Sequence, residues 1–584
     1  MAIQISGNTV IDNDRRFFGN TTTRNFFAGG AGNTTTTGTD NVFIGNLAGC
    51  SNTSGGSNNF FGACAGRNNT LGSGNNFIGN LAGCSNTSGG SNNFFGLSAG
   101  YSNTTGTHNN FFGTSAGQNN TTGSHNNFIG NNAGVSNTTG SHNNFFGCYA
   151  GKYNTTGSNN NFIGCYAGKY NTTGSNNNFI GNYAGCYNTT GGFNNFIGAS
   201  AGRCNTTGDA NNFFGDCAGS SNTTGSYNNF FGTFAGRYNT TGIYNNFFGI
   251  NTGRCNTTGC NNNFFGTNAG RCNTTGRNNN FIGNNVGRSN TTGNFNNFIG
   301  SYAGQNNTTG SSNNFFGNAA GRCNTTGSDN TFIGNQAGCR NTTGNNNNFF
   351  GDNAGRFNTT GTDNTFIGYQ TGWCNTTGSF NNFIGNAAGR CNLTGRYNNF
   401  FGLSAGQNNT DGSNNNFFSF GAGYNNTTAS NNIAIGLNAG TTGFTPSGLI
   451  NFTTTGNQIV MGNANHTCAA IQIAWTTVSD IRYKCVWGNV SHGRDFLRNI
   501  NPIKYSFKDI ETGEVKDPRK RYGFSAQEIL ALEGDEPIIV STENPDNYKI
   551  TNDHIIPVLV NAIKELDAEN KSILARLEAL ENAA

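Results

Sequence analysis

Charge is scarce in this chain. Only 10% of its 584 residues are Asp, Glu, Lys or Arg. No Glu occurs before Glu511, and Lys152 and Lys169 are the only lysines before Lys484. Residues 1–475 hold 17 Lys and Arg against 9 Asp, a net of +8, while residues 476–584 hold 14 against 18 acidic residues, a net of −4. That reversal marks a boundary near 476. Long apolar runs are missing too. No window is long enough to span a membrane, and the opening MAIQISGNTVIDNDRRFF lacks the apolar core of a signal peptide. The expectation is therefore no membrane insertion. The 17 cysteines show no zinc-site spacing, so no metal or cofactor is expected. Disordered chains are poor in aromatics and rich in charge, whereas this one has 50 Phe and 89 Gly, which fits neither disorder nor an ordinary globular domain.

What is present is one stretch of seventeen residues, written over and over. A clean copy is NFFGTSAGQNNTTGSHN, Asn110 to Asn126. The Gly after the Phe pair recurs at Gly45, Gly62, Gly79 and onward without a slip to Gly402, a span of 357 residues that holds 22 copies. The phase extends back to Ala28 and forward to Ser419 and Gly436. A short period held this strictly predicts a β-solenoid with one coil per repeat, an all-β shaft over residues 26–440. At a strand spacing of ~4.8 Å, 25 coils predict a rod on the order of 120 Å.

The position two before the anchor Gly is Phe in every copy, from Phe43 to Phe400, and the next is Phe or Ile. Neighbours in a strand point to opposite faces, so one ring fills the interior and the next points outward. Stacked coils would then carry an external apolar stripe, which asks for a partner, and assembly with further copies is expected. The alternative is a kink at Gly that turns both rings inward. AG and NTTG place Gly where φ > 0 is cheap. Stacked Asn and Thr side chains are expected to hydrogen-bond to their copies one coil above and below.

Several other features have modest readings. Arginines recurring after AG (Arg67, Arg203, Arg254, Arg271, Arg322, Arg356, Arg390) solubilise an apolar, Asn-rich surface, and no nucleic-acid partner is expected. Cys255 and Cys272 lie one coil apart, as do Cys374 and Cys391, and Cys148 and Cys165. Vertical neighbours fall within disulfide range, but stacked free thiols are the preferred reading. NTT is a glycosylation acceptor motif, read here as ladder chemistry. Ile3, Ile5, Val10 and Ile11 alternate as one or two short strands in a segment, residues 1–25, expected to attach the chain to a larger particle.

The repeat resembles the head repeats of trimeric autotransporter adhesins, clearest in NNIAIGLNAG at Asn431–Gly440. It is more similar still to the NTAIG-type repeats of phage and bacterial tail-fibre-like proteins. After Gly440 a connecting β segment, 441–478, is expected, with a linker holding Pro446 and Gly448 and short strands around Gln458–Met461 and Ala470–Trp475. Then come SDIRYK at Ser479–Lys484, NPIKYSF, RYGFSAQEI and a helical tail. That order resembles the C-terminal intramolecular chaperone domain of phage endosialidases and tail fibres, a self-cleaving α+β domain also found in some eukaryotic membrane-bound transcription factors.

The resemblance implies a Ser-Lys dyad, here Ser479 and Lys484. The chemistry is sensible in itself: a Ser hydroxyl is a weak nucleophile, and a partly buried Lys with a lowered pKa provides a base. The electrophile nearest Ser479 is the Val478 carbonyl, so Val478–Ser479 is the expected scissile bond. Cys485, Val486 and Trp487 follow the Lys where polar or aliphatic residues are expected. From Asp553 the tail keeps a 3-4 apolar spacing. Ile556, Ile563, Asn570 and Leu577 fall at a positions, and Leu559, Leu566, Ile573 and Leu580 at d positions, a coiled coil over 556–584 with Asn570 as a polar register device. Mixed Ile and Leu leave two or three strands open, and the resemblance implies three.

The expected protein is therefore a trimeric virion fibre assembled in a host cytoplasm. Its chaperone domain, 479–584, aligns three chains and then cuts itself away, with no external substrate. Expected partners are further copies of the chain, virion tail or baseplate proteins at the N-terminus and a host-surface glycan or receptor. The alternative is a bacterial or prophage-derived surface adhesin or binding rod. An ice- or glycan-binding Thr face is disfavoured, because adjacent Thr residues point to opposite faces.

Overall fold

In most repeats Asn-Phe-Phe or Asn-Phe-Ile is extended, and the Gly that follows turns the chain, so strands stay three residues long. The computed structural model describes residues 3–5, 8–11, 23–33, 35–441, 452–463, 479–508, 512–515, 518–535, 537–542 and 548–583. They fall into two compact units, Met1–Asn364 and Thr365–Ala584.

In the first unit, Ile3–Ile5 and Asn8–Ile11 pair antiparallel, as their alternation predicts. Every strand from Phe26–Ala28 to Asn348–Phe350 then pairs in parallel with the next, residue for residue. This is the predicted β-solenoid. The first coil is a residue shorter than the phase predicts. Ala28 pairs with Ile44, not Gly45, and Phe27 stacks on Phe43 at 5.0 Å. Ala28 thus ends a strand rather than standing at the anchor, because the ring ladder sets the register.

The coil 229–245 shows why the motif reads as it does. Phe230 is fully buried and stacks between Phe213 and Phe247, with ring centroids 4.7 and 4.8 Å apart. Its neighbour Phe231 faces outward and stacks on Phe214 and Phe248. The outward residue is about two-fifths exposed where it is Ile129 (41%) and little less where it is Phe61 (36%). The outward stripe is real, and the reading with both rings inward is excluded. Buried Phe truncations cost about 3–5 kcal/mol each, so the interior ladder is a major source of cohesion between coils.

Two Asn per coil are also fully buried, which the sequence did not reveal. Asn239 Nδ2 donates to Gly242 O at 3.0 Å and to Asn222 Oδ1 at 2.7 Å, and its own Oδ1 accepts from Asn256 Nδ2 at 2.7 Å. Asn245 Nδ2 donates to Gly259 O at 2.8 Å, and the Asn245 N–H donates to Asn228 Oδ1 at 3.0 Å. A third ladder, Asn229 Nδ2 to Asn246 Oδ1 at 2.8 Å, runs along the strands and is partly open to water. Buried amides persist because both ends find partners. The Thr ladder differs from expectation: Thr240 Oγ1 donates to the backbone carbonyl of Thr257 at 3.1 Å, not to its hydroxyl.

The glycines divide by cause. Gly236 of AG has φ 55° and Gly232, the anchor, φ 132°. Gly242 of NTTG has no positive φ, against the sequence expectation. A Cβ there would lie 2.4 Å from Gly259 O and 2.5 Å from Asn239 Oδ1, so Gly is needed for close approach of the next coil. The left-handed turns fall instead on variable positions such as Phe234 (φ 60°) and Tyr244 (φ 57°).

In the second unit a parallel ladder of the same kind runs from Thr365–Ile367 past Gly440, since Ile433–Ile435 pairs with Ile459–Met461. This last interval is 26 residues long, and fully buried Phe452 supplies the ring that stacks on Phe417 at 5.7 Å. The strand expected near Gln458–Met461 is present. Pro446, Gly448 and the strand expected at Ala470–Trp475 lie outside the described residues.

Candidate active site

The C-terminal region is a small α+β arrangement. Helix α1 (Arg494–Asn499) precedes the antiparallel pair Ile503–Tyr505 and Arg521–Gly523; α2 (Ala526–Glu533) precedes the pair Val540–Ser541 and Lys549–Ile550; α3 runs Ile555–Glu581. Ser525 caps α2 by accepting from the Glu528 N–H at 3.4 Å, the Ser-x-x-Glu pattern of a helix start. Pro557 sits in the first turn of α3, where no N–H is required. Phe496, Ile529, Ile539, Val540, Ile555 and Val558 form the core.

Ser479 and Lys484 are brought together by a single 3-10 turn, Ile481–Tyr483. The Lys484 N–H donates to Ile481 O at 3.0 Å, which closes the turn and returns the side chain, and Lys484 Nζ donates to Ser479 Oγ at 2.7 Å. Asp480 accepts from the Arg482 backbone and guanidinium, each at 2.9 Å. Arg482 holds the Asp480 carboxyl below the usual carboxylate range, and Asp480 pushes the guanidinium up.

One expectation fails. Lys484 and Ser479 are both exposed, as is the whole stretch from Ile481 to Ser491, with Trp487 at 94%. Nothing among the described residues packs over the turn, so the partial burial expected of Lys484 is absent within one chain. Val478 and its carbonyl lie outside the described residues.

Just beyond the turn the chain is tied to α3. The Arg494 N–H donates to Glu565 Oε2 at 2.7 Å, Asn561 Nδ2 donates to His492 O at 3.0 Å, and Arg494 also pairs with Glu569. Glu533 accepts from the N–H groups of Ile538, Ile539 and Val540 at 2.8, 2.6 and 3.0 Å, fixing the end of α2 to the next strand. Sequence reasoning missed both clamps, since neither has a spacing signature.

Helix α3 uses two faces. Ile555, Val558 and Ala562 are buried against the domain, while the predicted a and d residues are exposed: Ile556, Leu559, Ile563, Leu566, Asn570, Ile573, Leu577 and Leu580. The helix and its apolar stripe are as expected, and the packed first turns are an addition. Among the described residues no group of three or more His, Cys, Asp or Glu is placed to hold a metal, and no helix is long and apolar enough to cross a membrane.

Residues 479–535 match the model of the family described as "Chaperone of endosialidase". The match begins at Ser479, the residue expected to become a new N-terminus. No curated protein matches the chain. A parallel β-solenoid followed by such a segment fits a phage tail-fibre-like structural protein.

Proposed function

We propose that the chain is a virion fibre. Three copies are aligned by the C-terminal domain, which then removes itself by cutting Val478–Ser479. The observation that carries the reading is the 2.7 Å contact of Lys484 Nζ with Ser479 Oγ at the first residue of the matched segment. Two unpartnered apolar stripes support self-association: the a and d residues of α3, and the outward Phe and Ile of the solenoid. Near-identical coils mispair in any multiple of seventeen residues, so a template that sets register has a clear use. The hairpin at Ile3–Ile5 and Asn8–Ile11 would join the particle, and a host-surface receptor is the partner such a fibre serves.

In the proposed reaction Lys484 takes the Ser479 hydroxyl proton as Oγ attacks the Val478 carbonyl carbon. The C–N bond breaks, Lys484 delivers the proton to the Ser479 nitrogen, and an ester joins the two parts. Water then splits the ester, leaving a carboxylate at Val478 and a free amine at Ser479. Removing an amine from water favours its neutral, proton-accepting form. The pair is open to solvent in one chain, so packing of three chains would supply the cover, and cutting would wait for assembly. Loss of the template leaves the solenoid kinetically trapped.

Intact mass tests this. The wild type should yield a released fragment of 106 residues, Ser479 through Ala584. Ser479→Ala and Lys484→Ala should assemble and stay full length, and Lys484→Arg should also stay whole because its proton is never given up. Cleavage of Ser479→Ala at the same bond would refute the dyad and point to a host protease.

A further inference from the structure

Five residues before each anchor Gly the solenoid has a variable position with left-handed backbone. Where aromatics follow one another there, they cover each other: Tyr227 stacks on Tyr244 at 5.0 Å and His108 on His125 at 4.9 Å. Phe295, at the same position before Gly300, has Asn278 and Ser312 seventeen residues to either side, so no ring in that column covers its faces. It is 61% exposed, and its φ is 56°. A large side chain gains no stability from an exposed, left-handed position, so packing does not account for Phe295. The ring lines a groove of about 710 Å³ across the coils anchored at Gly283, Gly300 and Gly317. Small-ligand sites span about 300–1,000 Å³. Thr275, Thr292 and Thr309, each the second Thr of an NTT run, give the groove a row of exposed hydroxyls. The first Thr of each run is committed to the ladder, as Thr274 Oγ1 donates to Thr291 O at 3.0 Å and Thr291 Oγ1 to Thr308 O at 3.1 Å. Asn294 and Ser311 are held in place, since Asn294 Oδ1 accepts from the Arg277 N–H at 2.8 Å and Ser311 Oγ from the Asn294 N–H at 3.0 Å. Arg277 also lines the groove, and its carbonyl accepts from the Phe295 N–H at 3.0 Å, which sets guanidinium and ring on adjacent coils. No Asp or Glu occurs between Asp216 and Asp329, so these three coils supply no carboxylate for Arg277.

We propose that this groove binds a uronic acid unit of a host-surface polysaccharide, with the C–H face of the sugar on the Phe295 ring and its carboxylate on Arg277. The proposal names the class of receptor, and it rests on the fibre reading only for where that sugar is met. An aromatic ring takes up apolar C–H surface. A planar guanidinium matches a carboxylate with two parallel N–H bonds. Thr hydroxyls donate and accept, as the hydroxyls of a sugar do. A uronic acid carries its carboxylate at the edge of the ring, so face and charge are engaged together. A nucleic acid suits the groove less, since one guanidinium meets few phosphates and one ring is no succession of stacking platforms. Phe193 supplies the contrast. It holds the same coil position between Asn176 and Ala210 and is 65% exposed. Beside it, however, stands Asp209, whose carboxylate accepts from the Gly192 N–H at 2.7 Å and would repel an acidic sugar.

The purified protein is titrated by surface plasmon resonance onto immobilised oligogalacturonate, oligoglucuronate, a neutral oligogalactan, a sialylated oligosaccharide and polyadenylate. At least one uronate should bind at least ~10-fold tighter than the other three, the scale of a lost charged hydrogen bond. Phe295→Ala and Arg277→Gln should each weaken that binding by ~10-fold or more, while Phe193→Ala leaves it unchanged. Hydrogen exchange of the wild type with the bound uronate should slow over residues 275–312 and not over 192–210, a reading that stands whether or not a variant folds. No binding to either uronate, binding as tight to any of the other three surfaces, or protection centred outside 275–312 would overturn the proposal. Intact mass keeps the two readings apart: release of the C-terminal fragment without uronate binding refutes the groove alone, and uronate binding by a chain that never cuts refutes the self-cleaving fibre alone.

Discussion

Replacing Asn239 with Ala isolates the buried amide ladder from the aromatic one. The side chain donates to Gly242 O and Asn222 Oδ1 and accepts from Asn256 Nδ2. Two of these groups keep another partner: Gly242 O still accepts from Asn228 Nδ2 at 2.8 Å, and Asn256 Nδ2 still donates to Gly259 O at 3.0 Å. Asn222 Oδ1 loses its donor inside the coil. An orphaned buried acceptor costs about 2 kcal/mol and two weakened partners about 1 kcal/mol each, so about 4 kcal/mol is expected. At about 1.4 kcal/mol per decade, local opening rises by roughly three orders of magnitude. Asn229→Ala is the control. It also breaks two ladder bonds, from Asn212 Nδ2 at 2.7 Å and to Asn246 Oδ1 at 2.8 Å, but on a partly wet face. Water replaces what is lost, so about 1 kcal/mol or less is expected, roughly fivefold. Hydrogen exchange read by mass spectrometry separates the two. A solenoid couples mainly nearest neighbours, so the loss should centre on residues 222–256 and leave coils near 94–128 unchanged as an internal reference. Equal loss of protection in the two variants, or less than tenfold in Asn239→Ala, would refute the ladder's role.

Gly242→Ala should open the same coils although its backbone angle suits any residue, because the added methyl meets Gly259 O; unchanged exchange would show that the coils can part without cost. Phe213, Phe230 and Phe247 changed together to Ser should abolish protection locally, at about 3–5 kcal/mol per ring, whereas Phe214, Phe231 and Phe248 changed to Ser should keep protection and weaken self-association. Analytical ultracentrifugation checks the second half, and a wild-type monomer with no tendency to associate would sink the trimer reading. Deleting residues 556–584 should give insoluble or misregistered chains, since the exposed stripe of α3 is lost before coils pair; normal soluble trimers would show that the repeats register themselves.

Much of this protein was determined by its sequence alone. The unbroken seventeen-residue period fixed the solenoid, since one coil per repeat is the only way each Phe can meet its copy. The inward and outward alternation of Phe43 to Phe400 with their neighbours followed from strand geometry, and the heptads of α3 from helix geometry. Ser479 and Lys484 were paired by the resemblance of the C-terminal motifs, since their spacing alone carries no signal, and the structure adds the single turn that joins them. The tertiary structure decided what depends on the coil above or below. Gly242 is glycine because of Gly259, seventeen residues on, not because of its own φ. Asn239 and Asn245 are interior although polar residues usually face water, since only stacked copies can satisfy both ends of each amide. Phe452 replaces a missing ring after an interval no repeat predicts. Lys484 lies open because burial is a property of what packs against a turn, and sequence spacing carries only the turn itself.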